Sequence, residues 1–161
     1  MRAFTPIETP STDEPHNEIQ PRPRGLKKEE LMTDIDLRDF YKRYVEALNA
    51  REFDRMDEFV PESIVMHSEP STREALVAQL NSIVDAVPDF HWEVQELAIN
   101  GDSIAVRAIN TGTPTKEWLG VAPTGKPIEI VEYAIYRVHD GKFLHMSAVH
   151  DAEALQKQLA A

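Results

Sequence analysis

The sequence contains no cysteine. Disulfides, thiolate metal sites and cysteine nucleophiles are therefore excluded. Positive charge is also scarce: 17 Lys and Arg stand against 28 Asp and Glu, for a formal net charge of -11. Nucleic acid and anionic membrane surfaces are poor partners for such a chain. No apolar run approaches the roughly 20 residues of a membrane-spanning helix. The first residues show no apolar signal-peptide core, so a soluble cytoplasmic protein is expected. The sequence also lacks GxGxxG, a P-loop and GxSxG. Neither a metal nor an organic cofactor is expected.

What is present suffices for one domain: 161 residues, 42% of them apolar. Residues 1–31 differ from the rest. They hold five of the 11 prolines (Pro6, Pro10, Pro15, Pro21, Pro23) and few large apolar side chains. Such a segment buries too little surface to offset its ordering entropy and reads as a disordered tail. Met32-Thr33-Asp34 looks like an ordinary protein start, which places the domain at residues 32–161.

Within the domain, Leu37, Phe40, Tyr41, Tyr44, Val45 and Leu48 recur at helical spacing, predicting a helix from Asp34 to Arg51 capped by Asp34 or Asp36. A short helix over Phe53–Phe59 buries Phe53, Met56 and Phe59 and stops at Pro61. Ser63–His67 reads as a short strand. A third helix runs to Val87, capped by Ser71 or Thr72, with Leu76, Leu80, Ile83 and Val87 as its stripe. Strands follow. Phe90–Ile99 should share one face through Phe90, Trp92 and Val94, and Ser103–Gly112 through Ile104, Val106 and Ala108. The longest stretch, Pro127–Asp151, reads as a hairpin turning at Asp140-Gly141. Helices followed by antiparallel strands form an α+β pattern.

The hairpin admits two registers. A three-residue loop, His139-Asp140-Gly141, pairs Val138 with Lys142 and sets Glu132 opposite Ala148. Glu132, Ala134 and Tyr136 then share a face with Leu144, Met146, Ala148 and His150. A two-residue loop pairs Glu132 with Val149 instead.

Several short runs carry a resemblance: Trp118-Leu119-Gly120, Pro123-Thr124-Gly125-Lys126, Ile135-Tyr136-Arg137, Asp140-Gly141-Lys142 and the closing Asp151, Leu155, Gln158 and Leu159. Upstream, Pro61, His67-Ser68-Glu69-Pro70 and Pro88-Asp89-Phe90 also fit. From about Asp34 onward the chain resembles the SnoaL-like polyketide cyclase family of the nuclear-transport-factor-2-like superfamily. The resemblance implies a cone: about three N-terminal helices packed on a curved antiparallel sheet, with a pocket at the open end. It favours the three-residue loop and implies a homodimer through the outer face of the sheet.

The resemblance also marks a departure. Ring-closing cyclases of the family use an Asp as general acid/base where this chain has Ala148. Their partnering His matches Ala134, and an intervening Gln matches Glu132. His150 stands where Trp is frequent. The same residues cannot run the same aldol mechanism here. In their place the expected polar groups are Glu132 and His150, diagonal neighbours in the favoured register, with His67 near the pocket mouth. Trp118, Trp92, Tyr44 and Met146 would supply apolar walls. Ala134 and Ala148 would leave room for a substrate, with Tyr136 beside them.

Each polar residue has a structural alternative. His67 would hydrogen-bond a loop, Glu132 would pair with Arg107, and His150 would pack on Trp118 or Trp92. His67, Glu132 and His150 also match the residue types of a 2-His-1-carboxylate site, without its regular spacing. His91, His139 and His145 read as solvent-exposed, and Asp54, Asp57 and Glu58 as a solvated helix face. The leading expectation is proton-transfer chemistry (cyclisation, isomerisation or dehydration) on an apolar, polyketide-like substrate. The rivals are a non-catalytic binding or assembly module and a hydrolase or hydratase in which Glu132 activates water.

Overall fold

The computed structural model describes the backbone of residues 28–160 and the side chains of residues 36–160. Most of the expected tail lies outside these residues. Helix α1 spans Lys28–Asn49, six residues earlier than Asp34, so Asp34 and Asp36 lie inside it and cap nothing. Its predicted stripe is buried as expected. The helix ends without glycine. Arg51 adopts φ 61°, and its side chain donates to the carbonyls of Leu48, Pro88 and Phe90. A charged group spanning three carbonyls holds the helix end against the next turn of chain.

A 3₁₀ turn, Phe53–Glu58, buries Phe53 and Met56, while Asp54, Asp57 and Glu58 face solvent. Strand β1 (Ser63–Met66) turns through His67 and Ser68, both at positive φ, into β2 (Glu69–Thr72). The sequence does not predict this second strand, because Pro70 within Glu69–Thr72 argues against one. The chain tolerates it at the sheet edge, where its missing N–H costs no ladder bond. Thr72 caps α2 (Arg73–Ala86) by accepting from Ala75 N at 3.1 Å.

Strands β3 (His91–Asn100), β4 (Ser103–Gly112), β5 (Ile128–His139) and β6 (Lys142–His150) complete a six-stranded sheet in the order β2-β1-β6-β5-β4-β3. All pairs are antiparallel except β1 with β6. Helix α3 (Ala152–Ala160) closes the chain against β5 through Leu155 and Leu159. The result is the expected α+β architecture, with α1 and α2 on the sheet's inner face. Asn49 fastens α1 to β3: its amide donates to Trp92 O and accepts from Trp92 N, each at 2.9 Å.

Two irregularities correct the strand predictions. A bulge between Val94 and Glu96 ends the simple alternation of β3, leaving Val94 exposed rather than sharing the buried face of Trp92. In the hairpin the loop has two residues, Asp140 and Gly141, both at positive φ, and His139 pairs with Lys142. Neither predicted register holds throughout. A further shift between Arg137 and Val138 leaves Leu144 as an extra residue on β6. Phe143 therefore points inward and Leu144, 47% exposed, points outward. Beyond the bulge the even positions face inward on both strands: Tyr136 lies opposite Met146, Ala134 opposite Ala148 and Glu132 opposite His150.

The core centres on an aromatic group. Phe40, Tyr44, Phe59 and Phe143 meet edge to face at centroid distances of 4.8–5.7 Å. Tyr41 and Tyr136 extend the group toward the pocket. Fully burying an aromatic such as Phe59 or Phe143 contributes roughly 1.5–3 kcal/mol in transfer terms.

Candidate functional site

A pocket opens between α1, α2 and the inner face of the sheet. The α2 stripe of Leu76, Leu80 and Ile83 forms one wall. Tyr41, Tyr44 and Leu48 of α1 form another, and Trp92, Tyr136, Met146 and Ala148 the sheet side. The space within is about 570 Å³, open mouth included, in the range of small-molecule sites. Glu132 and His150 break this apolar lining from the sheet, Gln79 and His67 from its edges.

The polar centre is a cluster on three adjacent strands. Glu132 of β5 is buried, and its Oε2 accepts from Asn110 Nδ2 of β4 at 2.5 Å. His150 Nε2 of β6 lies 3.3 Å from the same Oε2, outside hydrogen-bond alignment. Two buried side-chain atoms have no hydrogen-bond partner among the described residues: His150 Nε2 and Asn110 Oδ1. The imidazole is held by Trp118 and Phe90, which meet it near-perpendicularly at 5.4 Å and 6.4 Å. A carboxylate inside an apolar wall demands a partner, because its charge has left water. Here an amide and an imidazole meet that demand.

Tyr41 and Tyr136 add hydroxyls on the α1 side, Tyr41 donating to Tyr136 at 3.4 Å. Burial, reinforced by the negative charge of Glu132, pushes the phenols of Tyr44 and Tyr136 well above the ordinary tyrosine range. Burial does the same to Tyr41, partly opposed by its bond to Tyr136. All three stay neutral phenols that can donate a hydrogen bond at any physiological pH.

Of the residues predicted for the site, Glu132, His150, His67, Trp92, Tyr44, Tyr136, Met146 and Ala148 line the pocket. Trp118 lies behind His150 and Ala134 beneath the wall, so neither lines it. His67 is exposed at the rim, its backbone N–H donating to Met146 O at 3.0 Å. Arg107 does not reach Glu132; it pairs with Glu96 at 3.1 Å on the opposite face. His91 and His139 are exposed as expected, but His145 is half-buried beside Ser147. Among the described residues, no three His, Asp or Glu gather closely enough to hold a metal ion.

Asn110 is a site residue that the sequence reading does not single out. Its signal is present: it continues the even-numbered row of Ile104, Val106 and Ala108, so a polar side chain there has to face the interior. Tyr41, assigned only to the core stripe, also reaches the pocket.

Comparison with known proteins agrees with this architecture. The family model described as SnoaL-like polyketide cyclase matches residues 38–159. Among solved structures, a SnoaL-like polyketide cyclase from Agrobacterium tumefaciens superposes with a TM-score of 0.73 at 24% identity, over 76% of this chain and 97% of that one. IdmH from Streptomyces antibioticus gives 0.69 at 26% identity, over 76% and 97%. TsrD from Streptomyces laurentii gives 0.70 at 18% identity, over 85% and 99%. No curated protein matches the sequence.

Proposed function

The chain belongs to the SnoaL-like polyketide cyclase family, and from that premise we propose that it is a cofactor-free enzyme moving a proton on an apolar, polyketide-like substrate. The observation that carries this reading is the Glu132–His150 pair, 3.3 Å apart in the wall of an otherwise apolar pocket. An imidazole beside a carboxylate takes a proton from a carbon next to a carbonyl and returns it elsewhere on the same molecule. The electron pair of the broken C–H bond passes to the carbonyl oxygen as an enolate. A neutral phenol such as Tyr136 is suited to donate a hydrogen bond to that oxygen. Return of the proton to another carbon gives isomerisation; attack of the enolate carbon on a second carbonyl gives cyclisation; expulsion of a β-hydroxyl, with the returned proton, gives dehydration.

The test does not require the natural substrate. Aromatic ketones with an enolisable methylene are incubated with the protein in D₂O, and exchange of the methylene is followed by NMR. Exchange above the buffer rate, lost in Glu132→Gln, supports the reading. A second reading, a ligand-binding module, is favoured by Ala134 and Ala148, which face each other where the ring-closing relatives are expected to carry His and Asp. Tight binding of the same ketones without exchange supports that reading instead.

The partner expected for this chain is a second copy. Tyr133, Ile135 and Val149 stand on the outer face of β5 and β6, 58–67% exposed. Tyr133 pairs with Val149 and Ile135 with Ser147, making one contiguous apolar strip. Such a strip suits a self-complementary interface.

A further inference from the structure

We propose that Asn110 is a positioning residue that fixes the shared proton of the Glu132–His150 pair on His150 Nε2, leaving Nδ1 as the nitrogen offered to a ligand. The proposal rests on the proton-transfer reading for its consequence, but its geometry stands independently.

The argument starts from Oε2 of Glu132. It accepts from Asn110 Nδ2 at 2.5 Å, and His150 Nε2 approaches it at 3.3 Å. An amide NH₂ only donates, so it favours an oxygen that carries no proton. Turning the amide over would set Asn110 Oδ1 against Oε2, acceptor against acceptor. With Oε2 held as an acceptor, a proton lying between the carboxylate and the ring belongs on Nε2. Nε2 is buried and has no other hydrogen-bond partner among the described residues. It is therefore closed to any ligand, although the His150 ring lines the pocket. Nδ1 is the remaining ring nitrogen.

The unpaired Oδ1 of Asn110 strengthens the case. A buried acceptor without a partner is unfavourable, and an apolar side chain of similar size would avoid it. Asn110 is fully buried in a row otherwise filled by Ile104, Val106 and Ala108. Packing alone gives no reason for an amide there; its Nδ2 on Glu132 does. The register supplies the reach, because Asn110 pairs with Ile130 and so lies diagonal to Glu132 on the neighbouring strand.

The experiment reads the tautomer directly. Protein labelled with ¹⁵N-histidine is examined by long-range ¹H–¹⁵N correlation at about pH 8, above the ordinary imidazole range. The His150 signals are assigned among the six histidines by their loss in His150→Gln. The expected result is a ring protonated at Nε2 and bare at Nδ1. In Asn110→Leu, with the fold verified by circular dichroism, the Nε2–H preference should fall severalfold. If the Leu variant does not fold, Asn110→Ala replaces it. A wild-type ring protonated at Nδ1 overturns the proposal, as does an unchanged tautomer ratio in a folded Asn110 variant. In the exchange assay, Asn110→Leu should lower kcat about tenfold with KM unchanged. If the wild-type protein shows no exchange at all, the enzymatic reading fails, yet the tautomer result still decides the role of Asn110.

Discussion

Glu132 and His150 face each other directly across β5 and β6, Oε2 to Nε2 at 3.3 Å, rather than diagonally. Direct opposition leaves neither side chain slack to turn away, so the two should act as one unit. Glu132→Gln and His150→Ala should each lower turnover by roughly 10²–10⁴. The double variant should lose little more, since partners in one proton path are not additive. Steady-state rates of ketone exchange for the four proteins check this. Full additivity would show two independent groups.

The buried phenols predict an alkaline transition. Tyr41, Tyr44 and Tyr136 have raised values in the folded state, chiefly through burial. Folding therefore holds their protons more tightly than the unfolded chain does. As pH rises above the unfolded tyrosine value of about 10, the unfolded state gains by ionising and stability falls. Tyr133 is 60% exposed. Of the four tyrosines, ultraviolet titration should show one ionising promptly and three only as the protein unfolds. Prompt ionisation of two or more would place water among the core rings.

Gly112 ends β4 against the chain after α2. A Cβ there would lie 2.5 Å from Val87 Cγ1 and 3.3 Å from the Phe90 backbone. Val87 is fully buried and β-branched, so it has little freedom to yield. Gly112→Ala should cost about 1–3 kcal/mol by overpacking. Chemical denaturation measures it, and a loss well below that range, under about 0.5 kcal/mol, would mean that the loop moves aside.

The outer strip predicts an association that one charge can break. Ile135→Lys should convert a dimer to a monomer in sedimentation at micromolar concentration, with the melting temperature of the isolated fold little changed. A wild-type monomer would remove the strip as an interface.

The fold is legible because it depends on periodicity, which a single sequence displays. The α1 stripe, the α2 stripe and the row from Ile104 to Ala108 all fall on the faces that the structure buries. What escapes are the one-residue offsets. Neither the bulge near Gln95 nor the extra Leu144 carries a glycine or proline to announce it, and each is fixed by packing from another element. The sequence places Glu132 and His150 on the right face with the wrong offset, because a two-residue loop and a one-residue bulge together restore parity. Asn110 escapes for a different reason: one polar residue at the end of an apolar row reads as an ordinary strand position until its neighbour across the sheet is known.

The bulge at Leu144 carries a consequence for how this site is gained or lost. Every residue of β6 after it owes its facing to one extra residue in the chain. Removing Leu144 while keeping the turn would shift the rest of the strand by one place, carrying His150 to the outer surface and Val149 into the pocket wall. No side chain of the site would have been altered. A short deletion, rather than any substitution, is thus the smallest sequence change that would separate Glu132 from His150 while retaining both residues.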